Sequence, residues 1–314
     1  MSAYIPSGTI PANLMPFTED YAIDELELRR HLRWLADVPG VTAITQNGHA
    51  AEVTSLGRAE QRRALAIALD EVGDRLPVIA GVFADGSLQA AELARDAEAE
   101  GASALLVAPP TLFAWGVQQR PEMIFRHFAT IAERTALPLV AFQYPPAQGW
   151  GYTTEQLVTL AERVPTVVAI KDWSQDIVLC ERNIRALHGL GRPFSVLTTY
   201  SAALYAALCI GADGLLSGMG SVVADLQAQL FAAVQRGDMA EGRRLNDRLF
   251  PLAKVFYAPP FLDMHNRMKV ALVELGRLRR AVVRPPLVAL DERERAAIRA
   301  GLAWADLLAP AGAR

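Results

Sequence analysis

Apolar and polar positions along this chain follow two rhythms. Short continuous apolar runs, of the kind that bury both faces of a strand in a parallel sheet, occur at 8–15, 41–46, 77–82, 104–108, 138–144, 166–171, 194–199 and 213–217. Between them lie longer stretches with apolar residues every three or four positions, the period of a half-buried helix. These predict helices near 24–37, 58–73, 87–100, 120–135, 153–163, 175–188, 200–210 and 223–236. The segment 153–163 shows the logic. Leu157, Leu160, Ala161 and Val164 form one apolar stripe, Thr153 or Thr154 is placed to cap the start, and Pro165 ends it.

Eight strand–helix units in succession predict an α/β fold, a TIM (β/α)8 barrel over residues 1–237. A doubly wound open sheet is the runner-up. It calls for fewer strands and a glycine-rich phosphate loop after the first, which the stretch following Met15 lacks. After residue 237 the alternation stops. Helical patterns at 239–253, 259–277 and 291–306, with Pro285-Pro286 between the last two, predict a C-terminal helical extension over 238–314, packed on the barrel.

Composition narrows the function classes. The chain has 314 residues, 52% hydrophobic and 21% charged, with a net charge of −3. That balance gives no basic footprint for nucleic acid or an acidic membrane surface. No apolar run reaches the roughly 18–20 residues that cross a bilayer, and the first residues show no signal-peptide pattern. Two cysteines, Cys180 and Cys209, are too few for a disulfide scaffold and fit a cytoplasmic protein. No His/Cys/Asp/Glu spacing suggests a metal site. The 31 basic residues comprise 28 arginines and three lysines, so Lys171, Lys254 and Lys269 stand out, and Lys171 is alone in the first 250 residues.

Reactive groups of such a barrel sit at the C-terminal ends of its strands. Lys171 ends the sixth apolar run, where partial desolvation lowers an amine toward nucleophilic character. Such a lysine condenses with the carbonyl of a 2-oxo acid, and the imine is an electron sink. The plain alternative is a strand-end lysine paired with Asp172. In the turn after the second run, Gly48, His49 and Ala50 offer converging backbone N–H groups for a carboxylate, and His49 a proton carrier; a turn glycine beside a solvated histidine is the alternative. Phe142 and Tyr144, two apart, share a strand face, so Tyr144 is either an acid–base group or a packing residue beside Phe142. Trp115, Trp150 and Trp173 each follow a strand end, at a pocket mouth or in plain packing.

With PANLMPFTED, the loop after the second strand, LPLVAFQYPPAQG, VVAIKDWSQD and GADGLLSGMGSV in order, the chain resembles the dihydrodipicolinate synthase / N-acetylneuraminate lyase family of class I aldolases along nearly its whole length. The resemblance implies a TIM barrel with C-terminal helices, a homo-oligomer (commonly a tetramer, or a dimer), and a Schiff base between Lys171 and pyruvate or another 2-oxo acid. It implies no cofactor beyond that covalent lysine imine. Gly48, Ala50, Phe142 and Leu216 are the expected substrate-binding positions, and Lys171, Tyr144 and His49 the catalytic ones.

The departures are specific. Where the family loop reads Gly-[Ser/Thr]-Thr-Gly-Glu, this chain has Gly48-His49-Ala50-Ala51-Glu52, without either hydroxyl. Phe142 stands in the column of the family's catalytic tyrosine. The family's inter-subunit tyrosine segment meets Pro109-Pro110-Thr111, and the arginine that holds the second substrate of the synthases meets Ala147. The run Thr198 to Ala202 lacks the acidic residues of the sialic acid lyases. These differences argue against both named activities. The leading reading is a lyase cleaving, condensing or dehydrating a 2-oxo acid; the alternatives are a non-catalytic family member that binds one, as sensor or structural subunit, and, behind it, a true dihydrodipicolinate synthase.

Overall fold

The structure, a computed structural model, describes residues 4–308. Eight strands, β1 (Gly8–Pro11), β2 (Ile44–Gln46), β3 (Val78–Val82), β4 (Ala104–Val107), β5 (Leu139–Gln143), β6 (Val167–Asp172), β7 (Ser195–Thr198) and β8 (Gly214–Ser217), follow the eight apolar runs. Every strand residue is buried, as expected of a sheet covered on both faces. All pairs are parallel, in the order β1-β8-β7-β6-β5-β4-β3-β2. Parallel bridges Thr9–Val41 and Ala12–Thr45 bring β1 against β2 and complete a TIM barrel. The expected run 8–15 stops as a ladder at Pro11 because the chain then divides its donors: Ala12 N–H goes to Ser217 on β8 and Asn13 N–H to Thr45 on β2.

The barrel helices are α1 (Glu25–Asp37), α2 (Arg58–Val72), α3 (Ser87–Glu100), α4 (Pro121–Ala132), α5 (Thr154–Arg163), α6 (Ile177–His188), α7 (Leu204–Cys209) and α8 (Gly220–Gln235). Helix α5 is capped as its sequence predicts: Thr153 Oγ1 accepts from Gln156 N–H, and Gln156 Oε1 accepts from Thr153 N–H. Helix α7 is shorter than its pattern. A 3₁₀ turn, Ser201–Ala203, precedes it, and Thr198 and Ser201 hydroxyls bond to local backbone there, a competitor of helix.

Three further helices follow: α9 (Met239–Phe256), α10 (Met264–Glu274) and α11 (Glu292–Trp304). The apolar pattern from 259 becomes α-helical only at Met264: each of Pro259 and Pro260 disfavours helical backbone in the residue before it, and a 3₁₀ turn, Phe261–Asp263, leads into the helix. α9 packs on α8 and α11, and α10 packs on α8, α9 and α11. From Met264 to Leu272, α10 is buried at nine successive positions, four of them His265, Asn266, Arg267 and Lys269. Each buried polar side chain there must find a partner or a cavity.

Candidate active site

Lys171 sits one residue before the end of β6, paired in register with Phe142 on β5 and Leu197 on β7. It is 4% exposed, and its Nζ lies 4.1 Å from the centroid of the Phe142 ring. Among the described residues no carboxylate pairs with it. Burial pulls its pKa down to about 7. The pairing with Asp172 does not form. The Asp172 carboxylate accepts instead from Ser174 N–H and Asn183 Nδ2, each at 2.9 Å. Lys171 is thus a buried, unpaired amine at the mouth of the barrel.

It opens into a pocket lined by His49, Ala50, Phe142, Trp173, Tyr257 and His265, among others. The loop after β2 forms one wall. Its close approach to β3 needs Gly81, where a Cβ would stand 1.9 Å from Asn47 O. Asn47 takes a left-handed φ of 56° and ties down through its Nδ2, 2.7 Å from Gln61 O. His49–Ala51 then makes a 3₁₀ turn. Ala51 and Glu52 N–H close that turn, whereas the N–H groups of Gly48, His49 and Ala50 donate to no loop oxygen among the described residues. Burial, with the charge of Lys171 second, holds His49 at about 4, a neutral imidazole at pH 7.

The other wall is aromatic. Gln143 clamps the excursion after β5 by two bonds to Tyr152, Nε2 to O at 2.8 Å and N–H to Oε1 at 3.0 Å. Tyr144 then packs against Phe142 (centroids 4.4 Å), Trp150 (5.4 Å) and Trp173 (5.5 Å). It lines a second cavity with His49, Phe83, Asp85, Pro109 and Trp150 rather than the pocket of Lys171. Burial raises its phenol. Of the three expected mouth tryptophans, Trp173 lines the first pocket and Trp150 the second, while Trp115 is 87% exposed. Leu216 is fully buried in β8, opposite Ile10; two residues on, Gly218 reaches the pocket.

Tyr257, Met264 and His265 also line the pocket, from the end of α9 to the start of α10. None of the three was visible in the barrel pattern. The one available signal was polar residues inside an apolar helical run. His265 stands edge-on to His49, ring centroids 5.0 Å apart, and is kept well below the ordinary imidazole range by burial, then by His49, Lys171 and Lys269. Burial raises the Tyr257 phenol, and Ser201, the Met219 backbone and Ser217 beside its hydroxyl pull it partway back. The extension is fixed to the loop by a buried ion pair, Lys269 with Glu52. Lys269 Nζ also donates to Val282 O at 2.8 Å, and Arg284 N–H to Glu52 Oε2 at 3.1 Å.

Fold and site together define a (β/α)8 barrel with a free amine at the end of its sixth strand. The chain belongs to the dihydrodipicolinate synthetase family, whose profile matches residues 5–304. It is 31% identical over 301 residues to the 4-hydroxy-tetrahydrodipicolinate synthase of Rhizobium meliloti, covering 96% of this chain and 99% of that one. It is 30% identical over 306 residues to the synthase of Methanopyrus kandleri, covering 97% and 98%. Among solved structures it resembles a prophage protein of E. coli K12 from the same family, in complex with pyruvate, at TM-score 0.89 and 26% identity, covering 96% and 99%. It also resembles a monomeric dihydrodipicolinate synthase variant at TM-score 0.88 and 24% identity, covering 96% and 98%. No described helix is long and apolar enough to cross a membrane.

Proposed function

We propose that the protein is a class I lyase that forms an imine between Lys171 and pyruvate or a related 2-oxo acid. The observation that carries this is the buried, unpaired Lys171 amine facing a pocket, at about pH 7 for half-protonation. The amine attacks carbon two, water leaves, and the resulting iminium nitrogen accepts the electron pair released when a bond to carbon three breaks. The substrate carboxylate sits on the N–H groups from Gly48 to Ala50, with the Phe142 ring beneath the amine and Leu216 under the floor. The covalent imine is the only electron sink the reaction needs.

His49, which borders both cavities, carries a proton. Tyr144, which faces the second cavity, serves as the partition beside it. The part of the substrate beyond carbon three extends past His49 toward Phe83, Tyr144 and Trp150. Besides Lys171, no lysine or arginine is among the residues lining either cavity, and Asp85 lines the second. This supports an uncharged, flat remainder over the second carboxylate that a dihydrodipicolinate synthase would bind. The assembly is proposed as a homo-oligomer, dimer or tetramer, supported by family membership and by the exposed Leu112 and Trp115 after β4.

Borohydride reduction in the presence of pyruvate tests the reading. A pyruvyl-derived mass on Lys171, absent in Lys171→Ala, is the expected result; an unmodified lysine at saturating pyruvate and pH 8 refutes it. Turnover across 2-oxo acids with uncharged unsaturated tails, lost in Lys171→Ala, separates an enzyme from a family member that only binds.

A further inference from the structure

Helix α10 is buried along nine positions, and three of its four buried polar residues make side-chain hydrogen bonds, although Asn266 Oδ1 stays unpartnered. Asn266 Nδ2 donates to Val288 O at 2.7 Å, Arg267 to Ala258 O at 2.6 Å and to Glu294 at 3.0 Å, and Lys269 to Glu52 and Val282 O. His265 alone among them makes no hydrogen bond within the described residues. It is 8% exposed, and it lines the pocket that holds Lys171. An unpartnered buried imidazole is costly unless a ligand completes it. Its nearest ring is His49, edge-on at 5.0 Å, likewise without a protein partner among the described residues.

The two differ in what they border. Of the two cavities His265 lines the Lys171 pocket alone, whereas His49 borders both. We infer that His265 and His49 form a two-imidazole proton shuttle, with His265 serving carbon three of the Lys171 imine and His49 serving the oxygen on carbon four. The inference rests on the imine reading above.

In cleavage, neutral His49 takes the proton of the carbon-four hydroxyl, and the O–H pair forms the new carbonyl. The carbon three–carbon four bond breaks, and its pair becomes the carbon two–carbon three double bond. The iminium π pair moves to nitrogen, giving an enamine. The two rings stand edge to face and share no hydrogen bond, so a pocket water takes the proton from the His49 imidazolium and gives it to His265, which delivers it to carbon three and regenerates the iminium. Water then releases pyruvate from Lys171. Protons balance across the pair, so neither residue ends charged. Both imidazoles are neutral at pH 7, the state this cycle requires. The groups facing the pair are Lys171, Lys269 across α10, and Tyr257 at the end of α9.

Pyruvate alone is a sufficient probe. In D₂O, NMR follows exchange of its methyl protons, which requires proton transfer at carbon three of the imine, and borohydride reports the imine separately. In His265→Asn and His265→Gln, exchange falls by about 10²–10⁴-fold, the usual range for a lost acid–base group, while the Lys171 adduct still accumulates on long incubation. In His49→Asn, exchange falls by less than about tenfold. Wild-type exchange in both His265 variants overturns the shuttle, as does loss of exchange in His49→Asn equal to that in His265→Asn. Loss of the adduct in both His265 variants makes the residue structural and overturns it too. No adduct in the wild type refutes the imine itself, an outcome distinct from all of these.

Discussion

Two lysines of this protein are buried to nearly the same degree and are opposites chemically. Lys269, on α10, is fully buried, ion-paired with Glu52 and bonded to Val282 O. Lys171, on β6, faces a phenyl ring and a cavity, without a carboxylate partner among the described residues. Burial lowers both, Lys171 to about 7 and Lys269 to about 8, where the Glu52 charge works against the desolvation. Burial alone therefore does not mark a reactive lysine. The missing counter-charge and the open space beside the nitrogen do.

The same substitution at the two sites sharpens the contrast most. Lys269→Met leaves the Glu52 carboxylate buried with one backbone donor, and should destabilise the fold by about 3–5 kcal/mol. Lys171→Met removes a desolvated amine with nothing to lose, and should stabilise the fold by up to ~4 kcal/mol at pH 7, at about 1.4 kcal/mol per pKa unit. Urea denaturation of both variants checks the sign; destabilisation by both would erase the distinction.

The pH profile is next in size. Imine formation needs the uncharged amine, so kcat/KM should fall tenfold per unit below about pH 7 and level off above it. Stability moves in a linked way. The Lys171 pKa is lower folded than unfolded, so the unfolded chain holds the extra proton between about 7 and 10, and stability should rise with pH across that window. Lys171→Met should remove that part of the slope, as denaturation at pH 7 and pH 9 would show.

The smallest effect concerns the aromatic partition. Tyr144→Phe keeps the ring contacts with Phe142, Trp150 and Trp173 and removes only a hydroxyl outside the Lys171 pocket. It should cost less than about tenfold in kcat, below the range of a lost acid–base group. A loss of several hundredfold in steady-state assays would return Tyr144 to the catalytic role its sequence position suggested.

Much of this was readable in one dimension. Eight apolar runs became eight parallel strands because strands buried on both faces have no polar alternation to blur them. Lys171 was conspicuous as the one lysine in the first 250 residues of an arginine-rich chain, at the end of Val167-Val168-Ala169-Ile170, with pairing to Asp172 as the plain alternative. The absent loop hydroxyls and Phe142 were equally plain. Which cavity Tyr144 lines was not legible, because strand alternation predicts a side and not a cavity, and the chain leaves β5 at Gln143. His265 showed only as a polar residue within the apolar helical pattern at 259–277, and Tyr257 fell between the patterns at 239–253 and 259–277, so neither could be assigned to the site.

The sequence by itself determined the barrel, the order of its strands and the placement of one lysine, because each rests on short-range periodicity and local desolvation. Tertiary structure decided which lysine stays unpaired and which histidine joins it. The Glu52–Lys269 contact and the His49–His265 pair each join residues more than two hundred positions apart. No local rule governs such meetings; they arise only when the C-terminal helices close over the mouth of the barrel.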